Sequence, residues 1–376
     1  MSNTKSTDAK GARVAVSFAA LDPYLETVGV APTERKTRGD RIAWGDRDRY
    51  PDYILELYNN VPTLQSIING TVDFIAGDDI ILDPAVPRFP GFYPAEIVRD
   101  LAHDLETYGG FAIQVVRDLA GRPSRIYHLD LRHVRSNKDN TVFYYCENWQ
   151  KSGSECVTYP AFMALSPETW ATLDEDARNR QASSVYFFKA IHTQTYPAPP
   201  FAAAVKDCEI ERRTTDYHLN SLENGFTASA IVNFNGGQAD PKIMEEVERD
   251  FCEKFAGPGT GNAGRIMFSW NKNKESATTI EIPKVEDFGE KYKALSTHSR
   301  QQIFASFRAV PALFGIMTES TGFNEQEFEQ AFRLYNRTRV RPAQRVIADA
   351  FEQIYGIPGA LTIKPFTLDG ADTNVD

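Results

Sequence analysis

The distribution of apolar positions divides the chain into two unlike halves. Over the first 200 residues, short helix and strand signals alternate. Leu64, Ile67, Ile68 and Val72 share one side of a helix predicted over 63–74, with Pro62-Thr63 at its start and Gly77 past its end. Ile97, Val98, Leu101 and Leu105 form the apolar stripe of a second helix, 94–107, which Gly109-Gly110 stops. Strands are predicted at 111–117 and 125–129, joined by the turn Ala120-Gly121-Arg122-Pro123, with further β-rich runs at 140–146 and 185–191. The stretch 166–180 reads as a surface helix. This pattern is that of an α+β domain.

The second half carries longer helices. One is predicted over 201–224, roughly 35 Å long at 1.5 Å per residue, with a broad polar face and the C-cap signal Asn224-Gly225. A strand at 229–234 and a turn at Asn235-Gly236-Gly237 follow. Asp240-Pro241 then opens a short helix striped by Met244, Val247, Phe251 and Phe255. Strands at 265–270 and 278–282 complete a small α/β unit. A second long helix, 287–310, places Phe288, Tyr292, Leu295, Ile303 and Phe307 on one face and is expected to stop at Pro311. After a glycine-punctuated loop, Asn324-Glu325-Gln326-Glu327 is a capping box, with Asn324 and Glu327 each able to satisfy an orphan backbone N–H. The last helix runs from there past Pro342, which must kink or break it, to Gly356.

Composition adds limits. The 376 residues are of ordinary globular composition, long enough for two or three domains of about 150 residues each. No apolar run approaches the roughly 20 residues a membrane helix needs. The first 13 residues lack the apolar core of a signal peptide, so residues 1–40 are expected to be a mobile N-terminal arm on a protein that stays in the cytoplasm where it is made. Cys146, Cys156, Cys208 and Cys252 show no metal or disulfide spacing. Cys146 and Cys156 could face each other in a hairpin, but buried thiols are the commoner outcome. The net charge of −10 argues against a protein that grips DNA tightly, because such proteins carry a basic face.

Candidate chemistry is sparse. The glycine-rich run Gly257 to Gly264 lacks the G-K-[ST] ending of a phosphate loop and reads as a turn between helix and strand. Asp46/Asp48, Asp78/Asp79 and Asp130 could be imagined as a two-metal nuclease site, but short acidic pairs are more often turn and cap residues. His128 and His133 flank a strand end and read as structural. No catalytic residue, metal or cofactor is expected. Arg337, Arg341 and Arg345 recur every four residues on one helix face, with Arg333 one turn earlier. The row is expected to be a solvated face paired with Glu329 and Asp349, or a subunit contact, ahead of a DNA-phosphate contact. The least ordinary feature is the loop Phe314 to Phe323, which joins two long helices and holds apolar residues between glycines.

Tyr196-Pro197-Ala198-Pro199-Pro200, the helix end Leu222-Glu223-Asn224-Gly225-Phe226, and Val310-Pro311-Ala312-Leu313-Phe314-Gly315 followed by Asn324-Glu325-Gln326 together resemble the tailed-bacteriophage portal protein family. In that family a VPP-x-LLG motif precedes an N-x-EQ helix start; Ala312 stands here for the second proline. The resemblance runs from about Tyr50 to Phe366. It implies a portal-protein fold with an α/β wing (41–200), stem helices (201–225 and 285–311), a small α/β clip (226–284), a tunnel loop (312–324) and a kinked C-terminal helix with a reduced crown (325–376).

The resemblance also implies a self-assembled ring, usually of twelve subunits, at one capsid vertex of the virion after assembly in the host cytoplasm. Double-stranded DNA would be packaged and ejected through it. Its partners would be the large terminase, the major capsid and scaffolding proteins and a head–tail adaptor, with no membrane. The tunnel-loop residues would be Ile316, Met317, Thr318, Glu319, Ser320 and Thr321, and Arg212, Arg213, Lys291, Lys293 and Arg300 are stem or channel candidates. Twelve copies would carry a charge of about −120, and a like-charged wall repels the DNA backbone. The competing readings are a metal-dependent DNA-processing enzyme, resting only on the acidic pairs, and another head-completion or adaptor protein, which is generally shorter.

Overall fold

The computed structural model describes residues 34–36, 40–151, 153–191, 194–224, 230–234, 242–247, 249, 266–270, 288–315 and 325–367. The first half runs β1 (Glu34–Lys36), β2 (Ile42–Trp44), α1 (Tyr50–Asn60), α2 (Pro62–Ala76), β3 (Asp79–Leu82) and α3 (Pro94–Tyr108). It continues with β4 (Gly110–Arg117), β5 (Pro123–Leu129), β6 (Val134–Ser136), β7 (Val142–Cys146), β8 (Cys156–Pro160), α4 (Pro167–Thr172), α5 (Glu175–Gln181) and β9 (Ser183–Lys189). The second half holds α6 (Val205–Asn224), β10 (Ala230–Phe234), β11 (Ile266–Trp270), α7 (Phe288–Phe307), α8 (Glu325–Tyr335), α9 (Arg341–Tyr355) and β12 (Leu361–Lys364).

Prolines open α2 and α3 at their first positions, where a missing N–H costs nothing. Gly109 closes α3 in the left-handed conformation, φ 83°. It is required twice over, because a Cβ there would lie 1.9 Å from the Ala198 carbonyl oxygen. The apolar faces predicted for α2 and α3 are buried, the two helices pack against each other, and α3 also packs on the antiparallel sheet β5-β4-β9. A second antiparallel sheet, β6-β7-β8, stands beside it. Trp44 is fully buried, stacked on Tyr196 at 4.6 Å, and the Tyr196 hydroxyl donates to the Ile42 carbonyl.

The C-terminus closes this same core. β12 pairs antiparallel with β3, Leu361 opposite Leu82 and Lys364 opposite Asp79, and α9 packs on α2 and α3. The helices α6 and α7 run antiparallel. Phe201 stacks near Phe307 at 5.4 Å, Arg300 meets Glu211, and Tyr217 lies 5.0 Å from Tyr292. Between them β10 and β11 pair in parallel, Ala230 opposite Ile266, and residues 242–247 are helical. The strand expected at 278–282 lies outside the described residues.

Three expectations need correction. Residues 34–36, inside the segment read as an arm, form β1 against β2. The single helix at 166–180 is two, because Ser166 caps α4 through Thr169 N–H at 3.2 Å and Asp174 caps α5 through Ala177 N–H at 2.7 Å. Both lie on the surface as expected, with Trp170 of α4 the one buried side chain among them. Pro311 does not stop α7. The helix ends at Phe307, where Arg308 turns left-handed (φ 55°) and the Ala309 N–H bonds the Phe304 carbonyl at 2.9 Å, the six-to-one bond of a Schellman ending. Pro311 instead opens a 3-10 turn, Pro311–Phe314. Of the two outcomes expected at Pro342, a kink or a break, the helix does not break. Residues Asn336–Val340 form a π turn, in which Arg341 N–H reaches Asn336 O, and this wider turn makes room for the ring that an ordinary α turn would crowd. A strand not expected from the sequence, β12, follows Gly356.

Candidate functional site

Three features meet where the helix pair joins the body: the polar seam between α6 and α7, the root of segment 316–324, and the outer face of α8 and α9. The seam is charged yet buried. Glu209 and Glu211 on α6 are almost wholly covered. Glu209 accepts from Arg212 and from Arg213, and Arg212 also reaches Glu56 on α1 at 2.6 Å. Burial pulls the Arg212 guanidinium down, but the carboxylates of Glu209 and Glu56 more than offset it and hold it above its ordinary value. Burial, with the Glu209 charge behind it, pushes the Tyr53 hydroxyl far up. Glu211 accepts from Thr63 on α2 at 2.8 Å and from Arg300 on α7 at 3.4 Å. Thus Arg212, Arg213 and Arg300 each lie against carboxylates, which ties the helix pair to α1 and α2. Lys293, with Ala294, Thr297, His298 and Gln301, lines an open groove of about 470 Å³ along α7. The Lys291 side chain lies outside the described residues.

The segment carrying Ile316, Met317, Thr318, Glu319, Ser320 and Thr321, like Asn324, also lies outside the described residues, but both of its flanks are described. On the near side, Gly315 takes φ 74° after the 3-10 turn. The Phe314 ring sits directly over Gly70 of α2 and within 5.7–6.2 Å of Phe74, Phe304 and Tyr335. Ser66 donates to the Phe314 carbonyl at 3.4 Å. On the far side α8 starts at Glu325, one residue after Asn324, and its buried Phe332 and Tyr335 pack on Phe74 as well. Glu327 is exposed on the first turn. Both flanks therefore rest on one helix, α2.

The arginine row divides. Arg337, Arg341 and Arg345 are exposed, and among the described residues no carboxylate pairs with any of them; only Arg333 meets Glu329, at 3.7 Å. The expected pairing with Glu329 and Asp349 is absent for those three. An i, i+4 row drifts about 40° per step round an ideal helix, and the wider π turn takes some of that drift back. Arg339, which sequence spacing passed over, is the inward one. It crosses to the fully buried Glu106 of α3 at 2.5 Å. Burial raises the Glu106 carboxyl above its ordinary value, and Arg339 only partly offsets that.

The acidic pairs have structural partners. Asp48 accepts from Arg41, from Arg135 at 2.5 Å and from the Trp44 N–H at 2.8 Å. Asp79 pairs with Lys364 at 3.0 Å, Asp78 accepts from Thr367, and Asp130 holds Arg132. Among the described residues no group of three or more His, Cys, Asp or Glu could hold a metal ion. His128 bonds Asp104 at 2.8 Å, and His133 bonds the Cys146 carbonyl at 3.1 Å. Cys146 and Cys156 are free and lie directly opposite each other on β7 and β8.

A family model described as phage portal protein matches residues 90–366. Among solved structures, the chain is similar to one in the neck of a native GTA particle computed with C12 symmetry. The TM-score is 0.55 at 16% identity, covering 90% of this chain and 88% of that one. A chain in the virion of a native gene transfer agent particle gives 0.55 at 16%, covering 92% and 89%. An HK97 family phage portal protein from Corynebacterium diphtheriae gives 0.47 at 14%, covering 83% and 93%. At these identities the first two show a shared fold, and the third adds no argument. No curated protein matches.

Proposed function

Because the chain belongs to the phage portal protein family, we propose that it is the subunit of a ring, of twelve copies, set at one capsid vertex. Double-stranded DNA is packaged and ejected through this ring, which docks the large terminase during packaging and a head–tail adaptor afterwards. In this reading α6 and α7 are the stem, residues 226–284 the clip, 312–324 the tunnel loop, and the body with α9 the wing. The ring is a passive conduit, without catalytic residues or cofactor.

The observation that carries the reading is the antiparallel helix pair whose root, at Phe314, opens into segment 316–324. Inside one protomer the pair is underpacked: Leu219, Leu295 and Tyr217 stay exposed on helices that bury their charged seam instead. Helices with that pattern are poor monomer cores and suit packing against neighbouring copies. A twelve-fold ring also accounts for an acidic chain that must pass DNA without holding it.

Electron microscopy of the purified chain tests this: rings with an axial hole are expected, and a strictly monomeric particle at high concentration overturns it. Deleting Met317 to Thr321 should leave rings intact while impairing DNA packaging or retention. Normal packaging in that variant would remove the loop assignment.

A further inference from the structure

Among the described residues the row Arg337, Arg341, Arg345 meets no partner within the protomer. Like charges four apart on a helix repel, and no carboxylate among the described residues relieves them. Their neighbour Leu334, three residues before Arg337, is 64% exposed. A phosphate backbone would reward the guanidiniums but not the leucine. An exposed large apolar side chain beside arginines is the composition of a protein–protein contact.

We infer that this face of α8 and α9 docks on the acidic edge of α4 and α5 in the next copy of the chain. This rests on the ring reading above. A rotational ring is built from heterologous contacts, in which one patch of each subunit meets a different patch of its neighbour. The chain therefore has to carry both halves of the contact on separate elements. The acidic half is present: Glu168, Asp174, Glu175 and Asp176 are all exposed, at the starts of two short helices. Arg178, which could have neutralised them, is turned back onto the Trp170 and Ala171 carbonyls. Charge complementarity of this kind fixes register and partner in an assembly whose subunits share a net charge of −10.

The test uses the full-length chain by sedimentation velocity at low and high salt, with electron microscopy of the same samples. Reversing the row (Arg337→Glu, Arg341→Glu, Arg345→Glu) should weaken subunit association on the order of tenfold or more, with thermal unfolding followed by circular dichroism unchanged. Adding Glu168→Lys, Glu175→Lys and Asp176→Lys, with Asp174 kept as a helix cap, should restore rings. Wild-type assembly in the reversed variant overturns the inference. So does association that the second set fails to restore, or an intact ring that loses only its binding to duplex DNA. A monomeric wild-type chain would instead overturn the ring reading, and this inference with it.

Discussion

Gly70→Ala reports whether Phe314 is a fixed root or a loose contact. Gly70 lies inside α2, where alanine is ordinarily the better residue by about 1 kcal/mol. A Cβ at Gly70, however, would stand 2.8 Å from Cδ1 and 2.9 Å from Cε1 of the Phe314 ring. Carbon atoms rest at about 3.5–4.0 Å, so the ring must retreat by roughly 0.7 Å or more. Its way out is occupied by Phe74, Phe304 and Tyr335, and its backbone is held by Ser66. Overpacking of this sort costs about 1–3 kcal/mol.

The larger effect wins, so Gly70→Ala should destabilise the chain by about 1 kcal/mol net in urea unfolding. In a Phe314→Leu background, where the ring is gone, the same substitution should stabilise by about 1 kcal/mol. The double-mutant cycle would then give a coupling of about 2 kcal/mol. A Gly70→Ala that stabilises equally in both backgrounds would refute the anchoring argument, because it would mean that the ring yields freely.

Three other perturbations probe the buried charges. Arg339→Ala should cost about 3–5 kcal/mol at neutral pH by stranding Glu106, and Glu106→Gln should recover part of it. Since the folded Glu106 carboxyl titrates above its ordinary 4.5, its own contribution to stability is fully present below that pH and is lost as pH rises through the folded value; chemical denaturation across pH should show the Arg339→Ala penalty shrinking in acid. Asp48→Ala should likewise cost about 3–5 kcal/mol by leaving the buried Arg135 unpaired, read as a lowered urea midpoint. Burial lowers His128 but Asp104 more than compensates, so its folded value lies above 6.5: its stabilisation is whole below pH 6.5 and is lost as pH rises through the folded value. His128→Gln should flatten that part of the stability profile, and an unchanged profile would count against it.

Much of the architecture was legible because its punctuation is local. Pro62 with Gly77, and Pro94 with Gly109, bracket α2 and α3 within two residues of the predicted ends. Both long helices and the strands β10 and β11 fell near their predicted positions for the same reason. What was not legible depends on partners far away in sequence. Arg339 sits off the four-residue row that drew attention to its neighbours, and only a carboxylate 233 residues earlier makes it the structural arginine of the helix. The left-handed Arg308 ends α7 three residues before the proline expected to do so, with Arg308 itself exposed while Phe304, Phe307 and Ala309 all stay in the core. Asp174 looks like any acidic surface residue until its side chain is seen capping α5. β12 is four residues long and gains its partner only from β3.

If segment 316–324 belongs to the tunnel loop proposed above, the shared root on α2 also limits what it can do. Nine residues span at most about 30 Å of extended chain, so with both flanks fixed the tip reaches out and back by about 15 Å at most. Motion within that radius needs no change in the body. A larger excursion, such as DNA dragging the loop along its path, has to release one flank. The far flank is an eleven-residue helix that continues through the π turn into the deepest part of the core, at Ile347, Ala350 and Phe351. The near flank is one 3-10 turn and one half-buried ring. On that reading Phe314 is expected to be the contact that lets go first, and the Gly70 and Phe314 variants would weaken the element that sets how far the loop can be pulled.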